Sequence, residues 1–200
     1  VTRAIRVLGL LAEANGQALG LSDIARALRI AKSSTSNLCA ALEDGGLIQR
    51  SEAGYRLGRR TVELGGAYLA TFDQVREFYR FCSESPVLGL ELVQLAVLDG
   101  TDVLYLARHE GRAPLRMSAS IGDRYPASLT AVGNVLLGQL SDDEIRQRFD
   151  DPSTRPALTE ASVTSLNGLL EKVQATRARG YSLDNGEVFP SVTGMAVVIP

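Results

Sequence analysis

Lys32-Ser33-Ser34-Thr35-Ser36-Asn37-Leu38-Cys39-Ala40-Ala41-Leu42-Glu43-Asp44, followed at once by Gly45-Gly46, decides how this chain is read. Thr35, Leu38, Cys39 and Leu42 stand at i, i+3, i+4 and i+7, which predicts a helix from Lys32 to Asp44 with one buried stripe, stopped by the two glycines. The opposite face holds Ser33, Ser36, Asn37 and Ala40, all short, with no long hydrophobe. Short hydrogen-bonding side chains let a helix backbone approach base edges in the major groove of DNA. A face that is merely solvated has the same composition, so the flanking sequence must decide.

On the N-terminal side, Ile5, Leu8, Leu11 and Ala12 predict a helix over residues 4–14 that Asn15-Gly16 ends. A second helix is predicted to begin at Ser22 as its N-cap and to bury Ile24, Ala25 and Leu28. On the C-terminal side, Leu47–Arg50 and Tyr55–Leu57 read as two short strands, with Gly54 supplying the difficult turn angle. Three short helices and a basic hairpin make a winged helix-turn-helix. Lys32, Ser33, Ser34, Ser36 and Asn37 on the third helix, with Arg50 and Arg56 on the wing, form the candidate DNA-binding set. In it Lys32, Arg50 and Arg56 neutralise phosphates, which positions the module without reading sequence.

Charge divides along the same line. Residues 1–60 carry nine basic and five acidic side chains, and residues 61–200 carry twelve and eighteen, so the net charge of −2 hides a basic end on an acidic body. With 45% of its 200 residues hydrophobic and 22% charged, the chain has a globular composition. Its apolar runs are strand-sized, its first residues lack the features of a secretory signal, and Cys39 and Cys82 have neither metal-ligand spacing nor the number for a disulfide framework. A cytoplasmic protein without metal, cofactor or membrane partner is expected. A single histidine, His109, argues against most zinc sites and leaves little for a catalytic triad.

Residues 61–83 contain Val62, Leu64, Tyr68, Leu69, Phe72, Val75, Phe78 and Tyr79 without a proline, and are expected to form a linker helix, bent near Gly65-Gly66. Its aromatic side chains suit either a dimer contact or packing on its own body. Beyond it, strand-like runs over 91–98 and 101–108 flank Asp99-Gly100, a strong hairpin signal. Leu115, Met117, Ala119 and Ile121 alternate with polar residues as in an antiparallel strand. Helices are expected from a cap at Ser128 or Thr130 to about Leu140, from the capping box Ser141-x-x-Glu144, and from Ser162 to Arg179 before Gly180. Returning strands are expected at 181–184 and 195–199. The fold class is therefore α+β: a winged helix-turn-helix over 1–60, a linker helix over 61–83, and over 84–200 an antiparallel-sheet domain with helices. A helix N-terminus favours anions, so the turn Thr130-Ala131-Val132 is a candidate carboxylate site.

Several of these motifs together resemble the IclR family of bacterial transcriptional regulators. The resemblance rests on Ala27-Leu28-Arg29-Ile30-Ala31-Lys32-Ser33-Ser34, Leu38, Leu42, Gly46 and Tyr55-Arg56-Leu57-Gly58. It continues through Leu64-Gly65, Leu95–Gly100, Gly122, Thr130-Ala131-Val132-Gly133 and Gly180-Tyr181, so it covers nearly the whole chain. The family's turn glycine is here Arg29, its proline is Ala31, the frequent His-Arg pair is Ser36-Asn37, and the lysine after Thr-Ala-x-Gly is Asn134. Members usually run some tens of residues further, and their closing Ser-x-Ser-Gly-Pro strand does not occur before Pro200.

The resemblance implies a regulator that binds double-stranded operator DNA as a homodimer or tetramer and senses a small organic or aromatic acid. It points to Thr130, Ala131 and Val132, to Asp184, and to the strand near Gly194 as the effector-binding region, with Met117 added from the neighbouring strand. Asp184 also suits a purely local role, because Asp-Asn-Gly is turn chemistry. Two other classes compete. A winged-helix adaptor would use the same fold to hold proteins. An enzyme would need Asp184, Glu187 or His109 for acid–base work, with no spaced nucleophile to support it, and no catalytic residue is assigned.

Overall fold

The amphipathic pattern that opens the chain becomes α1 (Thr2–Glu13), which buries Val7 and Leu11. It is followed by α2 (Leu21–Leu28), α3 (Lys32–Asp44), the hairpin β1 (Ile48–Ser51) and β2 (Gly54–Leu57), and α4 (Arg60–Leu69). The computed structural model describes residues 1–112 and 119–199, and the chain divides into two units, Val1–Phe72 and Asp73–Pro200. In the first unit Val7, Leu11, Ile24, Leu28, Cys39, Leu42, Ile48 and Tyr55 form one core. Each such aliphatic side chain contributes about 1.5–3 kcal/mol when fully buried.

The wing is tied to the helices from a distance. Leu19 and Tyr55 exchange backbone hydrogen bonds of 2.8 and 2.9 Å, which adds a bridge from the α1–α2 loop to the edge of β2. Gly54 is required here: its φ is +131°, and a Cβ would stand 2.4 Å from the Leu19 carbonyl oxygen. That bridge also corrects the expected start of α2. The N-cap is Gly20, extended at φ −67° and ψ 150°, and Ser22 lies inside the first turn. Leu19 is held in the bridge, so the chain enters the helix directly after it.

The second unit begins with α5 (Asp73–Glu84) and a 3-10 turn at Leu88–Leu90. It continues with β3 (Val93–Asp99), β4 (Asp102–His109) and β5 (Arg124–Pro126), all antiparallel in the order β3-β4-β5. Then come α6 (Ala131–Leu137), α7 (Asp142–Arg148), a 3-10 turn at Pro152–Thr154, α8 (Leu166–Arg179), and the antiparallel pair β6 (Ser182–Asn185) and β7 (Thr193–Ala196). Val103, Tyr105, Ala127, Leu137, Ile145, Phe149, Leu169, Leu170 and Val173 form the core between sheet and helices.

Local chemistry sets the helix ends. The Thr130, Ser141 and Ser165 hydroxyls each accept a first-turn N–H, Ser141 and Glu144 complete the capping box, and Gly180 closes α8 at φ +80°. The helix expected from Ser162 starts at Leu166 because the Ser162 hydroxyl is engaged with Leu158, Thr159 and Glu187 instead. The expected linker helix is two helices. Gly65 and Gly66 lie within α4, and the break falls at Ala70–Phe72, where the Thr71 hydroxyl donates to the Tyr68 carbonyl at 2.7 Å. The strand expected around Met117 lies largely outside the described residues, and its described end, Ala119–Ile121, is not in a strand.

Candidate functional site

In the first unit, α3 occupies the span its sequence predicts. Thr35, Cys39 and Leu42 are buried, and the Thr35 hydroxyl donates to the Ala31 carbonyl at 3.1 Å. Burying that stripe turns Ser33, Ser34, Ser36 and Asn37 to the outside, where all four are exposed. Lys32 is exposed at the start of the same helix, and Arg50 and Arg56 are exposed on the two strands of the wing, with Arg50 over the Tyr55 ring at 5.8 Å. The register pairs Arg50 with Tyr55 and Gln49 with Arg56. The surface is therefore a short polar helix face accompanied by cations, the combination that groove entry and phosphate neutralisation require.

The second unit gathers a different chemistry. Thr130 Oγ1 accepts from the Gly133 N–H at 2.9 Å, and the Asn134 amide donates to the Thr130 carbonyl at 2.8 Å, so the start of α6 is fixed from two sides. The Ser182 hydroxyl donates to the Ala131 carbonyl, which joins that start to β6. Asp184 pairs with Gly194 across β6 and β7. A Cβ on Gly194 would lie 3.5 Å from the Ala131 Cβ and 3.8 Å from the Asp184 Cβ. Ala131, Asp184 and Gly194, far apart in sequence, thus adjoin one another, with Thr130 buried beneath and Val132 half-buried beside them. Met117 lies outside the described residues.

Burial raises the Asp184 carboxyl above its ordinary range, opposed chiefly by the Glu187 N–H, which donates to Oδ1 at 2.7 Å. That hydrogen bond is the local turn role anticipated for this residue. Tyr105 is nearby: burial, then the charge of Asp184, pushes its hydroxyl up to about 12. Its ring meets Tyr125 edge-on at 6.2 Å, and Tyr125 meets Phe189 at 5.3 Å. Lys172 Nζ lies 2.7 Å from the Glu187 carboxylate and donates to the Ser128 carbonyl at 2.8 Å. Glu187 also accepts from the Val163 N–H at 3.1 Å, so this carboxylate holds the loop together and is not free for acid–base work.

The sequence reading missed Tyr105, Tyr125, Phe189 and Lys172. Tyr105 was accessible in principle from the alternation along β4, whereas Tyr125 sits on a three-residue strand with no periodic signal. Among the described residues no group of three His, Cys, Asp or Glu side chains is placed to hold a metal ion, and no helix is long and apolar enough to cross a membrane. Cys39 and Cys82 are buried free thiols, both raised by desolvation.

Comparison with known proteins agrees with this two-part arrangement. The model of the IclR helix-turn-helix domain matches residues 1–52, and that of the bacterial transcriptional regulator IclR C-terminal domain matches residues 83–199. The HTH-type transcriptional regulator XynR of Escherichia coli is 29% identical over 201 residues, which span 100% of this chain and 79% of that protein. Among solved structures, the repressor BlcR of Agobacterium tumefaciens is 31% identical at a TM-score of 0.59, over 99% of this chain and 78% of its own. An IclR homolog from Microbacterium hydrocarbonoxydans, complexed with 4-hydroxybenzoate, is 26% identical at a TM-score of 0.81, over 98% of this chain and 80% of its own. With both parts matched in order, the chain belongs to the IclR family of bacterial transcriptional regulators, pairing a DNA-binding helix-turn-helix with a C-terminal ligand-binding domain.

Proposed function

We propose that this regulator reads double-stranded operator DNA with Ser33, Ser34, Ser36 and Asn37, positions itself through Lys32, Arg50 and Arg56, and changes its operator affinity when a small hydroxylated aromatic acid binds beside Ala131, Asp184 and Gly194. The exposed polar face of α3 is the observation that carries the first half. Asn37 has the amide geometry for bidentate pairing with adenine. Asn37→Ala is expected to lower affinity for an operator selected from random duplexes by roughly tenfold or more, with little change on mixed-sequence DNA. Equal losses on both would remove its base-reading role.

Support for the second half comes from the cluster in the C-terminal unit. Tyr125 and Phe189 offer aromatic edges, Asp184 offers an acceptor for a ligand hydroxyl, and Gly194 leaves space against Ala131 that a side chain would fill. The relative holding 4-hydroxybenzoate supports the same ligand class. A screen of small carboxylic acids by thermal shift tests it: 4-hydroxybenzoate should raise the melting midpoint in a concentration-dependent way. Asp184→Ala should reduce that response at least tenfold in apparent affinity, and benzoate should show a smaller loss than 4-hydroxybenzoate. Identical losses for the two acids would exclude a hydroxyl contact at Asp184.

Self-association belongs to the same reading. No side chain of α4 is buried, and Val62, Leu64 and Tyr68 expose large apolar surfaces, which suits a homodimer contact. Two modules at fixed separation would read half-sites about 34 Å apart or at multiples of that. The effector must then bind two arrangements of the dimer unequally, because only a differential affinity shifts an equilibrium.

A further inference from the structure

Arg29 occupies a position that its own side chain opposes. It closes α2 at φ 55° and ψ 46°, in the left-handed region, with its N–H donating to the Arg26 carbonyl and the next N–H, of Ile30, donating to the Ala25 carbonyl. This is the helix ending at which glycine is favoured, because a Cβ is disfavoured in that conformation. A charged residue kept there, in an exposed turn with no packing to require it, points to work done by the side chain.

The surroundings of Arg29 are cationic. Arg26, Arg29 and Lys32 line one open concavity of about 470 Å³ between the end of α2 and the start of α3, together with Ser22. Among these cations only Arg26 has an ion-pair partner among the described residues, the exposed Asp23 at 3.2 Å. The spacing of three residues places one cation on the last turn of α2, one on the connecting turn and one on the first turn of α3. In helix-turn-helix docking the second helix enters the groove while the first crosses the backbone, and this turn joins the two.

We propose that Arg29, flanked by Arg26 and Lys32, is a DNA phosphate contact beside the groove that α3 enters, an anchor created in this chain by an arginine at a glycine position. It rests on the DNA-reading role given to α3 above. Guanidinium geometry suits it, because the planar fork pairs with phosphate oxygens in a bidentate manner.

The test is fluorescence anisotropy of the full chain with a labelled 30-base-pair duplex of mixed sequence, across a salt series. The parent chain should bind with a steep log–log salt slope. Arg29→Gly relieves the backbone conformation, so its melting midpoint should stay level or rise, while its affinity falls roughly threefold to tenfold and its slope becomes shallower by about 0.9 per bound protomer. Arg29→Asn, which also tolerates the left-handed region, should lose the same amount, and Arg29→Lys should keep the slope. Unchanged slopes in Arg29→Gly and Arg29→Asn, with the parent binding normally, would overturn the phosphate contact alone. A parent chain that does not associate with the duplex would overturn both this contact and the DNA-reading role of α3.

Discussion

Gly133→Ala is expected to destabilise the C-terminal unit by about 3 kcal/mol or more and to lower the melting midpoint by roughly 10 °C. An ideal Cβ at this position would stand 2.1 Å from the Ala127 carbonyl oxygen and 2.4 Å from the Ala127 Cα, and neither is the end of a flexible side chain that can turn away. The glycine is held there by its own N–H, which donates to the Thr130 hydroxyl, and by the buried loop Ala127–Thr130 beneath it. Moving the start of α6 outward would separate Ala131 from Gly194 and break the bond from Ser182 to the Ala131 carbonyl. The effector binding proposed beside Ala131 and Gly194 should therefore be lost together with the stability. Calorimetry checks the first part, and a midpoint within about 2 °C of the parent would show that the close approach is not maintained in solution.

The second large effect concerns the ion pair that spans α8 and the loop after β6. Lys172 and Glu187 side chains are 18% and 9% exposed, and removing one partner of such a pair leaves the other charge poorly solvated. Glu187→Gln is expected to lose about 3 kcal/mol at pH 7. Its pH dependence identifies the cause. Burial holds the Lys172 ammonium below its ordinary value of 10.5, against the hydrogen bond and charge of Glu187, which raise it. A lysine whose folded pKa is depressed binds fewer protons folded than unfolded between the two values. Stability therefore rises with pH through that window, and the penalty is fully present below the folded value. Without Glu187 the folded value drops further and the window extends downward. The deficit of Glu187→Gln against the parent should accordingly shrink as the pH rises from neutral toward 10.5 in urea unfolding. A constant deficit across that range would show that the Lys172 charge is not the cause of the loss.

What could be read in the sequence was mostly what is decided locally. The stripe Thr35, Cys39, Leu42 fixed both the span of α3 and which side chains face outward. Ser141 with Glu144, and Gly180, marked helix ends because their hydrogen bonds reach only three or four residues. The start of α2 was misplaced because a bridge from Leu19 to Tyr55, 36 residues away in the chain by position, sets it. The break between α4 and α5 carries neither proline nor glycine. A threonine hydroxyl turned back on the Tyr68 carbonyl, with Phe72 packed edge-on against Tyr68 at 5.2 Å, marks it.

The candidate ligand site divides in the same way. The cap at Thr130 was visible as a local motif, and Asp184 and Gly194 came from the family resemblance, which the β6–β7 register now makes adjacent. Tyr105, Tyr125 and Phe189 belong to three separate segments, and only the sheet register and the loop after β6 bring their rings together. No spacing rule connects them. Arg29 stands in the sequence as a departure from the family pattern, but its left-handed conformation and its neighbouring cations are set by the turn between α2 and α3.

Amide chemical shifts of the isotopically labelled chain, followed during titration with a duplex operator selected from random DNA, interrogate, residue by residue, the face of α3 proposed to enter the groove. The signals of Ser33, Ser34, Ser36 and Asn37 should move most, with smaller changes along the wing at Arg50 and Arg56, while Cys39 and Leu42 on the buried stripe should stay nearly fixed. Binding that leaves those four signals in place and perturbs another surface would contradict the assignment of α3 as the helix that reads DNA.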